Sequence, residues 1–266
     1  MLLDLHMHSE YSEDAKPNAS VEAICRASVA RGLSIIALTD HKDFYFEHPP
    51  LFLDIDGQRR DVARCQHEFD GALTLLSGVE LGEIHARPEA AEYATAYDFD
   101  EVIGSLHVRR ANDIDIYFQD WEQTNPDAFL EEYFADLLRM VRVGGFDVLA
   151  HIDYPLRVMK RPDGIPPSFA GWEDRIEPIL REIIARDIAL EINAANLFGW
   201  QKKVGTPRFV LDMYRNLGGS MISVGSDSHC APDVGRGIEQ CLDHAREAGF
   251  HEIAVFYKRK PHAVSI

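Results

Sequence analysis

The sequence predicts an α/β fold of seven parallel strand–helix units, closed or distorted into a TIM-like barrel. Two observations carry that reading. Seven short apolar runs recur along the chain: LLDLH (2–6), SIIAL (34–38), LTLLSGVE (73–80), EVIGSLH (101–107), DVLAH (147–151), IALEIN (188–193) and SMISVGSD (220–227). Between them lie longer stretches with helical periodicity. This alternation implies a parallel sheet covered on both faces, since each crossover lays a helix against it. Seven units favour a closed or distorted barrel over an open doubly wound sheet.

The helical stretches follow in order. Residues 20–31 end before Gly32. Residues 126–143 have Asn125 as a cap and Pro126 at the first helical position, with Phe129, Leu130, Tyr133, Phe134, Leu137, Leu138 and Val141 on one stripe. Residues 173–186 lead into the next strand, and 207–217 stop at the Gly218–Gly219 pair. Two segments break the rhythm, 42–58 (KDFYFEHPPLFLDIDGQ) and 152–171 (IDYPLRVMKRPDGIPPSFAG). Both contain proline and follow strand ends, the side of a barrel where loops build the active site.

A chain of 266 residues fits one barrel, so residues 1–266 are expected to form a single domain. The formal charge of −17 argues against nucleic acid and anionic membranes as partners. A small anionic substrate stays open, because a buried metal cluster can reverse the local field. The four cysteines (Cys25, Cys65, Cys230, Cys241) show no CxxC spacing and read as free thiols. No signal peptide and no bilayer-length apolar run is seen, and a cytoplasmic location is expected.

The chemistry gathers at the carboxyl ends of the runs. The first delivers His6 and His8, with Asp14 shortly after. The second ends in Asp40 and His41, the third in Glu80, the fourth in His107, the fifth in His151 and Asp153, and the seventh in Asp227 and His229. A lone core histidine is more often bonded to backbone than to metal, and a lone buried glutamate more often pairs with arginine. Here six of the 12 histidines stand at strand ends, which a parallel barrel brings to one face. Burying so many imidazoles and carboxylates without cations would carry a large desolvation cost. Imidazole and carboxylate are ligands for zinc, manganese and iron. His48, His67, His85, His244, His251 and His262 lack such placement and read as surface or loop residues.

In order and spacing, DLHMHS, TDH, GVELGE, GSLH, AHID and GSDSH resemble the polymerase-and-histidinol-phosphatase (PHP) superfamily, from residue 4 to residue 229. The resemblance implies a distorted seven-stranded barrel holding two or three divalent metal ions. It assigns His6, His8, Glu80 and Asp227 to one ion, and Glu80 as a bridge with His107 and His151 to a second. Asp14, His41 and His229 would hold a third, with Asp14 where many relatives carry histidine. Paired cations supply hydroxide at neutral pH and neutralise phosphoryl oxygens during in-line displacement, with Asp227 or His229 as candidate proton donors.

The implied substrate is a small phosphorylated molecule. IGSLH followed by FDVLAHIDYPLR resembles the stand-alone histidinol-phosphate phosphatases, and Arg157 falls where a phosphate-clamping arginine is expected in them. Arg161, Arg109, Lys202, Lys203 and Arg236 are further cationic candidates. Ala195 occupies a place where a second basic residue is expected, with Lys202 as its substitute. Asp43, Glu47, Asp153 and Tyr154 are candidates to receive the amine and imidazole of histidinol, and Phe44, Tyr45 and Phe46 to cover the ring. The leading expectation is hydrolysis of L-histidinol phosphate to L-histidinol and inorganic phosphate. The alternatives are another phosphoester, such as a nucleotide or sugar phosphate, and a non-catalytic metal-binding domain.

Overall fold

The computed structural model describes residues 1–160 and 164–266. Seven strands pair in chain order, each parallel to the next: β1 (Leu2–Asp4), β2 (Leu33–Leu38), β3 (Thr74–Gly82), β4 (Glu101–Ser105), β5 (Val148–Leu149), β6 (Ala189–Asn193) and β7 (Ile222–Gly225). The seam between β7 and β1 closes just beyond the strand ends. Leu5 N–H donates to the Val224 carbonyl at 3.0 Å, Asp227 N–H to His6 at 2.8 Å and His8 N–H to Ser228 at 2.8 Å. Seven parallel strands thus form a nearly closed barrel. A short strand, His41–Asp43, joins the upper half of β3 by pairing with Glu80–Gly82.

The helix Pro126–Val143 forms as its sequence dictates. The Asn125 side chain accepts hydrogen bonds from the Asp127 and Ala128 N–H groups at 3.0 and 2.9 Å, satisfying two donors that lack an intrahelical partner. Gly144 ends it with φ +68°, a conformation that favours glycine. Its apolar stripe is buried, and the Tyr133 hydroxyl donates to the Ile152 carbonyl at 3.1 Å, tying the helix to the chain beyond β5.

Three features differ from the sequence reading. The segment 42–58 is a loop only in part, because Asp54 caps a helix over Ile55–Glu68 by accepting from the Gly57 N–H at 3.0 Å. Two hairpins, Val108–Arg109 with Ile114–Asp115 and Glu252–Tyr257 with Lys260–Ser265, went unread. The second closes the amino-terminal mouth of the barrel, setting Ala254 and Phe256 against Ile103, Val148, Ala150 and Ala189. Its Arg259 pairs with Asp147 at the start of β5. His85 is neither a surface nor a free loop residue: its ring is 2% exposed, beside Asp136 at 3.6 Å. Among the described residues, no helix is long and apolar enough to cross a membrane.

Gly225 lets β7 approach β1 where His6 emerges. A Cβ at this position would overlap His6 Cβ and lie 2.7 Å from Glu191 Oε1. Gly225→Ala is expected to cost about 1–3 kcal/mol through overpacking, read as a lower midpoint in urea denaturation. An unchanged midpoint would show that the seam tolerates the methyl group.

Candidate metal centre

The six histidines at strand ends converge on one face of the barrel. His6 and His8 stand two apart on extended chain, so both point inward while Leu5 and Met7 pack outward. The chain then turns under control of Asp40. That carboxylate accepts from the Ser9 N–H at 2.6 Å, the Ser9 and Ser12 hydroxyls at 2.8 and 2.9 Å, and the Gln58 amide at 2.7 Å. Asp40 therefore holds the loop that carries Asp14 and points away from the histidines.

Glu80, fully buried, is the centre of the arrangement. Its Oε2 lies 3.1 Å from His6 Nε2, 3.5 Å from His8 Nε2 and 3.1 Å from His41 Nδ1. Its Oε1 lies 3.2 Å from His107 Nε2 and 3.0 Å from His151 Nε2. Asp227 Oδ1 approaches His8 Nε2 at 3.3 Å and His6 Nε2 at 3.9 Å. At the outer edge Asp14 reaches His229 Nε2 at 2.8 Å and His41 Nε2 at 3.8 Å; its side chain is 57% exposed. Four overlapping trios bring their ligand atoms within 4.8 Å of one another: His6, His8 and Glu80; His6, His151 and Asp227; His41, Glu80 and His107; His8, His41 and His229. His41 belongs to two of them, one ring nitrogen facing Glu80 and the other Asp14. Such donor sets suit zinc, manganese or iron. His8 Nε2 and His41 Nδ1 are buried without a hydrogen bond, as expected of groups that await a cation.

Electrostatics agree with this fit. Burial opposes the charge on Glu80 and Asp227, yet His6 and His41 hold Glu80, and His6 and Arg157 hold Asp227, well below the carboxylate range. His6 and His107 are held above the usual histidine range: burial is outweighed by Glu191 and Glu80 at His6, and by Asp43 and Glu80 at His107. Burial and the neighbouring His229 and His41 keep His8 well below that range, so its ring is neutral and able to ligate. A bound cation would displace the protons that otherwise balance this cluster.

A surrounding set of acids orients the rings, and the sequence reading missed most of it. Glu191 Oε1 meets His6 Nδ1 at 2.6 Å, while its Oε2 accepts from the His151 N–H at 2.7 Å. Asp43 meets His107 Nδ1 at 3.2 Å, and Glu83 accepts from the His107 and Val108 N–H groups. The available signal for Glu191 was its place in IALEIN, a carboxylate inside an apolar run and two residues from Asn193 on the same strand face.

The centre opens into a cavity of about 880 Å³. Arg157 lines it, donating from Nη1 to Asp227 Oδ2 at 2.9 Å. Its Nε and Nη2 are buried and have no hydrogen-bond partner among the described residues. Lys16 also lines the cavity, a cation the sequence reading did not single out. Lys202 and Arg236, expected to bind substrate, do not line it. The Lys202 ammonium bonds to the Phe198 carbonyl at 3.2 Å, and the Arg236 guanidinium packs 3.6 Å from the centre of the Phe198 ring. Arg109 pairs with Glu132 instead, and Lys203 lines a separate, smaller cavity. Arg161 lies outside the described residues. Of the groups expected to meet histidinol, Asp43, Tyr45 and Tyr154 line the cavity, whereas Phe44 and Asp153 are buried behind it, and Glu47 and Phe46 are not part of its wall.

The PHP domain family model matches residues 4–195. The chain belongs to the PHP domain family. Asp227 and His229 lie beyond the matched residues, just past the strand that closes the barrel. This PHP domain protein is 30% identical over 263 residues to the histidinol-phosphatase of Lactococcus lactis subsp. lactis (strain IL1403), covering 96% of this chain and 94% of that one. It is 29% identical over 262 residues to a probable histidinol-phosphatase of Thermotoga maritima, covering 97% of each. It superposes with a TM-score of 0.85 and 27% identity on the crystal structure of histidinol phosphate phosphatase from Lactococcus lactis subsp. lactis Il1403, complexed with zinc, L-histidinol and phosphate, covering 98% of both chains.

Glu191→Gln removes the charge that orients His6 while keeping the side chain's shape. Divalent-cation affinity is expected to fall roughly 10–100-fold, measured by competition with a chromogenic chelator. Unchanged affinity would mean that His6 needs no such partner.

Proposed function

We infer that this PHP domain protein is a metal-dependent phosphoric monoester hydrolase that converts L-histidinol phosphate to L-histidinol and inorganic phosphate. The observation that carries the reading is the meeting, in one cavity, of a buried imidazole–carboxylate cluster with an arginine whose Nε and Nη2 are buried and have no hydrogen-bond partner among the described residues. Residues 1–266 are read as one domain. The four cysteines are free and buried, in keeping with a reducing cytoplasm.

His6, His8, Glu80 and Asp227 are read as ligands of a first cation, Glu80, His107 and His151 of a second, and Asp14, His41 and His229 of a third. When bound, such ions (zinc, manganese or iron) supply hydroxide at neutral pH and offset the charge of phosphoryl oxygens. Arg157 is held by Asp227 and by the Tyr154 ring, 5.2 Å away, so its fork can grip two phosphate oxygens with little loss of side-chain freedom. Asp227 fixes that fork with one oxygen and faces His8 with the other. His229 is anchored at Nδ1 near the Asp227 carbonyl, at 3.0 Å, and at Nε2 by Asp14. Its protonated form is favoured, since Asp14 and Asp227 outweigh burial. We therefore assign proton transfer to the departing oxygen to His229 in the form without a third cation, while Asp227, held ionised, serves by fixing Arg157 and facing His8.

Asp43 and Asp115 line the same cavity as Tyr45, Tyr117 and Tyr154. An acidic, aromatic wall suits a leaving group bearing an amine and an imidazole better than a neutral sugar. A chain of charge −17 can still accept an anion here, because Arg157 and Lys16 line the cavity.

Phosphate release is expected from L-histidinol phosphate in preference to nucleoside monophosphates and sugar phosphates. It should stop with chelator and return with Mn²⁺, Zn²⁺ or Fe²⁺. Arg157→Ala should lower kcat/KM at least tenfold at constant metal content. No turnover of any phosphoester by the loaded protein would sink the reading; preference for a nucleotide would remove the substrate alone.

A further inference from the structure

One wall of the cavity is held by a single carboxylate. Asp113 lies in the turn of the hairpin Val108–Asp115 with φ +55°, the left-handed conformation that side chains other than asparagine and aspartate seldom adopt. From there Asp113 reaches the segment Tyr45–His48, some 65 residues earlier in the chain. It accepts hydrogen bonds from three consecutive backbone N–H groups, Phe46 at 2.9 Å, Glu47 at 3.0 Å and His48 at 2.9 Å, and meets His48 Nδ1 at 2.7 Å. These donors outweigh burial and hold the carboxyl below its usual range. The opposite edge of the segment is held by Arg87, which donates to the Tyr45 and His48 carbonyls, both at 2.7 Å. The Phe46 ring lies between the Arg110 guanidinium at 4.2 Å and the edge of His85 at 5.3 Å. Both polar edges and the apolar side chain of one four-residue segment are thus fixed, and its Tyr45 and His48 line the cavity. None of these contacts touches Glu80, Asp227 or Arg157.

We propose that Asp113 is a positioning residue that, by clasping Tyr45–His48, sets the shape of the cavity where the leaving group binds and leaves the phosphate end unaffected. The proposal rests on the phosphomonoesterase reading above. A carboxylate can accept all four hydrogen bonds, whereas an asparagine of the same shape has one accepting oxygen and must turn its NH2 donor toward at least one of the backbone N–H groups. Asp113→Asn should therefore loosen the segment without emptying space.

In hydrogen exchange, the amides of Phe46, Glu47 and His48 are expected to be protected in the native protein and to exchange at least tenfold faster in Asp113→Asn. In kinetics, KM for L-histidinol phosphate should rise about tenfold, with kcat within threefold and metal content unchanged. The inhibition constant of inorganic phosphate should stay within twofold. Arg87→Ala, which lies outside the cavity, should shift KM in the same direction, and the double variant by less than the product of the two. Unchanged exchange at residues 46–48 would overturn the clasp. A KM shift in Asp113→Asn with none in Arg87→Ala would overturn it as well, because Asp113 would then act by touching substrate. Loss of metal or of phosphate binding alongside the KM shift would also count against it. Absence of any turnover would sink the phosphatase reading, and the exchange measurement would still decide the clasp.

Discussion

The structure is organised around the carboxylate of Glu80. Five imidazoles from four different segments approach its two oxygens at 3.0–3.5 Å. A charge buried so completely is tolerated only where opposite charges and hydrogen bonds surround it. The barrel provides this by directing β1, β3 and β5 and the chain beyond β2 and β4 to one face. Glu191, Asp43 and Glu83 then hold the imidazoles or their backbone from outside the cluster, so each ring presents a chosen nitrogen inward.

The same principle divides the cavity into two ends. Arg157 and Lys16 line it together with histidines of the cluster, while the hairpin 108–115 contributes Asp113 and Asp115. On the reading proposed above, such a lining suits a molecule that is itself dipolar, with phosphate at one end and a cation at the other. The overall charge of the chain says little about this choice, because the field within a low-dielectric cleft is set by its own lining.

Much of this was legible in the sequence, for a physical reason. In a parallel barrel the residue that follows an apolar run is carried to the catalytic face, so His6, His41, His107, His151 and His229 could be read from position alone. Glu191 escaped because it lies inside its run, where alternation rather than sequence end decides what faces inward. Lys202, Arg236, Glu47 and Phe46 are loop residues whose direction depends on packing that no period encodes, and there the reading and the structure diverge. The hairpin at 108–115 consists of two-residue strands, too short for any pattern. Asp113 therefore looked like one more solvated acid, although it organises a segment distant in sequence.

The seam between β1 and β7 ties the first residues of the chain to some of its last. Asp227 is hydrogen-bonded to the His6 carbonyl and His8 to that of Ser228, so barrel closure and completion of the imidazole–carboxylate cluster are one event. These contacts span some 220 residues, among the longest loops the chain can close, and loop closure of this kind is entropically late in folding. A chain still emerging from synthesis, with β1 to β6 already made, would hold most of the imidazoles but neither Asp227 nor His229. The architecture thereby delays the complete imidazole–carboxylate cluster until the protein is nearly whole.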